Sequence, residues 1–198
     1  WQPSATAERH RQAVEAIRSS IRAGETYQVN HTFRLHSQLQ GCAGGLYQDM
    51  LQRQPAAFAA FVECEEFQLL SASPELFFRR RGQRLETRPM KGTIRRGGDL
   101  AADQLLQREL LGSAKDAAEN VMITDLLRND LGRLAVPGTV TVDALLQLES
   151  LPTFHALTST VSALLPDETR FPDVFAALFP CGSITGAPKV STMRLISQ

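Results

Sequence analysis

An excess of charge of either sign is what this sequence most plainly lacks: 21 Lys and Arg stand against 21 Asp and Glu, for a formal net charge of zero. No nucleic-acid or anionic-membrane footprint is therefore expected, and a small-molecule partner fits better. Cysteine is scarce. Cys42, Cys64 and Cys181 are far apart with no C-x-x-C pair, which argues against a disulfide framework or structural zinc and points to a reducing, cytoplasmic setting. No stretch approaches the ~18 uninterrupted apolar residues of a membrane helix, and the opening WQPSATAERHRQ has no signal-peptide core. Internal repeats, low-complexity tracts and obvious linkers are also missing. What remains is 198 residues at 43% hydrophobic and 21% charged, the profile of one globular domain.

Periodicity predicts an α+β chain. Val14, Ile17 and Ile21 recur at helical spacing up to Gly24, followed by an alternating strand at Tyr27 to Leu35 and a short helix near Leu46 to Arg53. Ala57 to Val62, Gln68 to Ser71, Glu75 to Arg80 and Gln83 to Arg88 read as short strands separated by turn signals, hence antiparallel hairpins. Two helices are expected over Leu100 to Leu111 and Lys115 to Leu131, the second stopped by Gly132. Thr139 to Val142 and Leu145 to Glu149 are β-compatible, and His155, Leu157, Ser159 and Val161 share one face of a strand. Helices return over Phe171 to Phe179 and Lys189 to Gln198. Helices covering one face of an antiparallel sheet is the architecture implied.

Ionisable residues stand out in apolar or turn settings. Glu75 follows Ser73-Pro74, Lys91 sits in Arg88-Pro89-Met90-Lys91-Gly92-Thr93, and Glu119 lies in Ala117-Ala118-Glu119-Asn120-Val121-Met122. Each has a plainer reading: a solvated strand-start acid, a turn lysine, and a first-turn helix acid facing the dipole. A Gly-rich run, Pro180 to Lys189, offers backbone N–H groups and the hydroxyls of Ser183 and Thr185 at a helix start, yet lacks P-loop spacing; its plainer reading is a capping turn. A strand-face histidine such as His155 is more often structural than catalytic, and Cys181 reads as a packing residue.

Taken together, Gly24 to Asn30 (GETYQVN), Ser73-Pro74-Glu75, Arg88 to Thr93 (RPMKGT), Glu119 to Arg133 (ENVMITDLLRNDLGR) and Gly182 to Lys189 (GSITGAPK) resemble the chorismate-utilising enzymes in order and spacing. The resemblance covers nearly the whole chain. It implies antiparallel sheets packed face to face with helices outside, and a chain holding residues 1–198 as part of a chorismate-binding domain. On that reading an N-terminal portion and a C-terminal end, with the second metal carboxylate, lie outside this chain. The piece alone is expected to turn over poorly.

The resemblance also assigns roles. Gln28 stands where the water-adding branches carry a general-base lysine, and an amide cannot take that proton. Lys91 stands where anthranilate synthases usually carry Ala, and resembles the branch that aminates chorismate at C4 through a lysine nucleophile. Met90 departs from the usual Ile, a swap of similar size. Glu75 is then the proton donor, Glu119 a Mg²⁺ ligand, and Gly92, Thr93, His155, Gly182, Ser183 and Thr185 substrate contacts. Ammonia is expected from a separate glutamine amidotransferase subunit, since no amidotransferase elbow is present in this chain. The product implied is 4-amino-4-deoxychorismate, for 4-aminobenzoate and folate synthesis. The alternatives are component I of anthranilate synthase and a non-catalytic chorismate-binding module.

Overall fold

The computed structural model describes residues 1–197, which form two compact units, residues 1–39 with 178–197 and residues 40–177. In chain order the elements are β1 (Gln2–Pro3), α1 (Ala7–Arg22), β2 (Gln28–Val29), β3 (Leu35–His36) and α2 (Ala43–Arg53). Then come β4 (Phe58–Glu63), β5 (Gln68–Ser73), β6 (Leu76–Arg81), β7 (Arg84–Arg88), β8 (Met90–Arg95), α3 (Leu100–Gly112) and α4 (Ala114–Gly132). The chain continues through β9 (Thr141–Ser150), β10 (Phe154–Leu164), α5 (Phe171–Leu178), α6 (Gly182–Thr185), β11 (Gly186–Ala187) and α7 (Lys189–Ile196). Gln198, the last residue of the expected C-terminal helix, lies outside the described residues.

The larger unit is built on β10. β9 pairs along one edge, while β7 and β8 follow one another along the other, Val161 facing Thr87 and Thr158 facing Met90. Pro89 separates β7 from β8; it has no N–H to donate, but its carbonyl accepts from Ser159 N at 3.1 Å and keeps the ladder running. β6 pairs with β7, and β4 and β5 form a separate hairpin. All these pairings are antiparallel, as the closely spaced turn signals require.

Helices α3 and α4 cover one face of this sheet. Each opens on a side-chain cap: Asp99 accepts from Ala102 N at 2.8 Å, and Ser113 accepts from Asp116 N at 3.3 Å. The stripe of α4 turned inward is Asn120, Ile123, Thr124, Leu127, Asp130 and Leu131, at the three- and four-residue steps of one helix face. Other large apolar residues buried in this unit include Leu85, Leu110, Leu157, Val161, Leu165 and Val174. Asn120 inside that stripe is satisfied, its Nδ2 donating to the Leu157 carbonyl at 2.9 Å and its Oδ1 accepting from Ser159 Oγ at 2.5 Å.

In the smaller unit β2 pairs with β11, Val29 opposite Gly186 and Gln28 opposite Ala187. Gly186 has φ +138, and a Cβ built there would sit 2.0 Å from the Gln28 carbonyl, so only glycine permits the approach. Buried Thr26 bonds Thr192 Oγ1 at 2.7 Å and donates to the Ala187 carbonyl at 2.9 Å.

The structure corrects the sequence reading in places. The strand expected at Tyr27 to Leu35 shrinks to β2 and the start of β3. Among the described residues only the two of β11 offer β2 a ladder, and beyond it Asn30 N donates instead to the Thr185 carbonyl at 2.9 Å. The two β-compatible runs after Pro137 join into β9, interrupted by register shifts and by Leu146 at φ 53. Met90 to Arg95, part of a motif but of no predicted strand, is β8.

Burial distinguishes leucines that read alike in sequence. Leu85 is 0% exposed and Leu105 65%. Leu85→Ala is expected to lower the unfolding free energy by roughly 2–5 kcal/mol and Leu105→Ala to leave it within about 0.5 kcal/mol, measured by denaturant titration.

Candidate active site

Lys91 is placed by a bulge. Lys91 lies opposite Leu157 and Thr93 opposite Ala156, so Gly92 is the extra residue of β8. Residues paired across a ladder point to the same face. Lys91 therefore shares the face of Leu157 and Ser159, where Asn120 of α4 bonds, while Thr93 shares the face of Ala156. Gly92 has φ +79, and a Cβ built on it would lie 2.7 Å from Asp116 Cβ. The glycine thus serves both the left-handed turn of the bulge and the close approach of α4.

Glu75 stands in the tight connection between β5 and β6, where Ser73 Oγ accepts from Glu75 N at 3.3 Å and donates to its carbonyl at 3.1 Å. Half-buried, it accepts at Oε1 from Met90 N at 3.2 Å. A carboxyl group is thereby held at the backbone of the residue preceding Lys91. Glu119 projects from α4 with a third of its side chain exposed, 3.8 Å from Lys115 Nζ.

Asp116, which the sequence reading passed over, is the carboxylate that touches the bulge, three residues before Glu119 on the same face of α4. The signal was present as an acid at i−3 of the expected ligand. Among the described residues no three His, Cys, Asp or Glu side chains form a cage. Asp116 and Glu119 are hard oxygen donors, and a pair of this kind suits Mg²⁺, which takes one or two carboxylates and retains several waters.

His155 lies inside the protein rather than on an open wall. It is 0% exposed, with Nε2 2.9 Å from Asp103 Oδ1 and Nδ1 2.8 Å from Ser150 Oγ. Asp103 also accepts from Arg96 Nε at 2.9 Å, Arg96 Nη2 at 2.8 Å and Gly97 N at 2.7 Å. The Arg96 guanidinium first, then the Gly97 amide, hold its carboxyl well below the usual carboxylate range. As a carboxylate it only accepts, so His155 Nε2 carries the proton between them.

Gly182, Ser183 and Thr185 fall in the smaller unit and form a single helical turn, α6, rather than an open loop. Gly182 and Ser183 are buried. The N–H groups of Ile184 and Thr185 and the Thr185 hydroxyl all donate to the Cys181 carbonyl, so these donors are turned into the fold. Asn30 fastens the turn, its Nδ2 donating to the Ser183 carbonyl at 2.9 Å.

The larger unit thus places Lys91 on a bulged strand, the Glu75 carboxyl at the preceding amide, and Asp116 and Glu119 on the covering helix. The chain belongs to the chorismate binding enzyme family, whose profile matches residues 1–198. It is 40% identical over 198 residues to aminodeoxychorismate synthase component 1 of Escherichia coli, covering 100% of this chain and 44% of that protein. It is 37% identical to anthranilate synthase component 1 of Thermus thermophilus, covering 100% of this chain and 43% of the relative. The crystal structure of anthranilate synthase component I from Streptococcus pneumoniae superposes with a TM-score of 0.88 at 28% identity, over 98% of this chain and 43% of that one. The chain thus spans less than half the length of these relatives.

Two predictions follow from the geometry on β8 and α3. Gly92→Ala must force a side chain into Asp116 from a left-handed backbone, and is expected to lower the melting temperature more than Gly98→Ala, where a Cβ meets nothing within 4 Å. Because the Asp103 pKa is lowered in the fold, its stabilisation is complete above the ordinary value near 3.8 and is lost as pH falls from there through the folded value. Asp103→Asn should therefore flatten the acid side of the stability–pH curve, measured by denaturant titration at successive pH values.

Proposed function

We propose that this chain belongs to an enzyme that aminates chorismate at C4, giving 4-amino-4-deoxychorismate for 4-aminobenzoate and folate synthesis. Ammonia would come from a glutamine amidotransferase subunit. The observation that carries this reading is Lys91 on the bulge, with the Glu75 carboxyl one residue away at the Met90 amide. The naming of the E. coli relative as a component 1 supports a second subunit.

The reaction is two allylic displacements. The neutral Lys91 amine attacks C2; the ring double bonds shift, the C4–O bond breaks, and Glu75 delivers its proton so that water leaves rather than hydroxide. Ammonia then attacks C4, the double bonds shift back and the C2–N bond breaks, so that Lys91 leaves its positively charged adduct as the neutral amine, while the new C4 ammonium returns one proton to the Glu75 carboxylate left by the first step. The enolpyruvyl group at C3 is untouched. Each displacement exchanges one C–O or C–N bond for one C–N bond, with no net redox change.

Asp116 and Glu119 would hold Mg²⁺, whose chemistry is to bind carboxylate oxygen and offset the substrate's negative charge. Gly92 and Thr93 are proposed to contact or shape the substrate site, and His155 to support it from within the sheet. Lys91 separates this reading from anthranilate formation, which eliminates pyruvate and needs no nucleophile there.

Mass spectrometry of products formed by the full protein from chorismate, Mg²⁺ and ammonium tests the proposal. A product retaining its enolpyruvyl group supports it; anthranilate with pyruvate overturns it, and bound but unchanged chorismate favours a non-catalytic module. Glu75→Gln is expected to reduce kcat by about 10²–10⁴-fold, the usual contribution of a positioned proton donor, as read by steady-state kinetics.

A further inference from the structure

A polar node of the larger unit is centred on Asp103, a residue given no role in the chemistry proposed above. Four donors converge on the Asp103 carboxylate: Arg96 Nε and Nη2, Gly97 N and His155 Nε2. Only 7% of Asp103 is exposed. These donors come from different places, the chain just after β8 and the middle sheet strand β10, whereas Asp103 itself sits in the first turn of α3. Arg96 reaches further, its Nη1 donating to the Leu151 carbonyl in the β9–β10 turn at 2.9 Å. Gly97 is required by the contact, because a Cβ there would lie 2.2 Å from Asp103 N. One carboxylate thus fastens helix, sheet and turn at the point where β8 ends.

Register carries this anchorage to the bulge. His155 lies opposite Ile94, Ala156 opposite Thr93 and Leu157 opposite Lys91. The node therefore grips β8 on the C-terminal side of Gly92, while Glu75 accepts from Met90 N on the N-terminal side. A bulge persists only where the flanking registers are both held, since slipping by one residue transfers side chains to the opposite face.

The same carboxylate orders the imidazole. As an acceptor with no proton to give, Asp103 requires hydrogen on Nε2, and in that tautomer of the imidazole Nδ1 accepts from the Ser150 hydroxyl.

We propose that Asp103 is a positioning residue for the reaction at Lys91: it holds His155 in the Nε2–H tautomer and locks the end of β8 to α3, so that the Gly92 bulge keeps Lys91 on the helix-covered face. The inference rests on the function proposed above for its kinetic arm only. Its structural arm stands on His155 alone and is measured without turnover.

The test uses Asp103→Asn, which preserves shape but removes the charge that Arg96 pairs with, and Arg96→Lys, which keeps a cation but loses the two-point fork. In the full protein, ¹⁵N chemical shifts of the His155 ring should report Nε2–H in the parent and an altered tautomer or mixture in Asp103→Asn. kcat should fall roughly 10- to 100-fold, in the range of supporting-residue losses, with KM within about twofold. Arg96→Lys should show a smaller kcat loss with the parent tautomer retained. A tautomer unchanged in Asp103→Asn, or a changed tautomer with parental kcat, overturns the proposal. So does an equal loss in Asp103→Asn and in a destabilised core variant such as Leu85→Ala assayed at the same fraction folded, because the effect is then general loosening. If Lys91→Ala retains full activity while the tautomer responds as expected, the proposed function fails and the ordering of His155 by Asp103 stands.

Discussion

The arrangement of the larger unit depends on one extra residue in one strand. Gly92 shifts the pairing of β8 with β10, so that Lys91 and Ile94 face the side of Leu157 and His155 and Thr93 faces the side of Ala156. In an unbroken pleat Lys91 and Thr93 would share a face. The shift is held from three directions: Asp116 of α4 lies against Gly92, the Glu75 carboxyl takes the Met90 amide before it, and Asp103 binds Arg96 and Gly97 after it. The chemistry proposed at Lys91 is thus a consequence of backbone pairing as much as of side-chain identity.

Polar groups within the helix–sheet interface serve the same end. Asn120, buried in an otherwise apolar stripe, joins α4 to the Leu157 carbonyl and the Ser159 hydroxyl, and Thr124 Oγ1 returns a hydrogen bond to the Asn120 carbonyl at 2.7 Å. Apolar packing alone would let α4 slide along the sheet. Directional bonds at the strand residues next to the Lys91 pairing set its position, and with it the placement of Asp116 and Glu119.

Much of this was legible in the sequence, for identifiable reasons. The two helices after Gly98 follow from apolar spacing and the stop at Gly132, and the shared face of His155, Leu157, Ser159 and Val161 from alternation in β10. Glu75, Lys91 and Glu119 were found because proline, glycine and apolar neighbours make an ionisable residue conspicuous. The bulge was not legible, since the phase of β8 depends on β10 some 60 residues later and Gly92 in isolation reads as a turn. Asp103 escaped because a first-turn acid is ordinary until its partners are known, and His155 lies 52 residues away. The GSITGAPK run looked like an open anion cradle because composition cannot reveal that its amides close upon Cys181. The strand drawn through Tyr27 to Leu35 failed because alternation reports compatibility with a sheet, whereas a strand also needs a partner.

The central claim is that Lys91 is a nucleophile, and trapping it is the most direct measurement. The full protein would be incubated with chorismate and Mg²⁺ while ammonia is withheld, then acid-quenched, digested and mapped by mass spectrometry. The account predicts a substrate-derived adduct on the peptide containing Lys91, formed with loss of water and discharged when ammonium is added before the quench. An enzyme that aminates chorismate at full rate with Lys91 unmodified throughout, or an adduct on another residue, would contradict it.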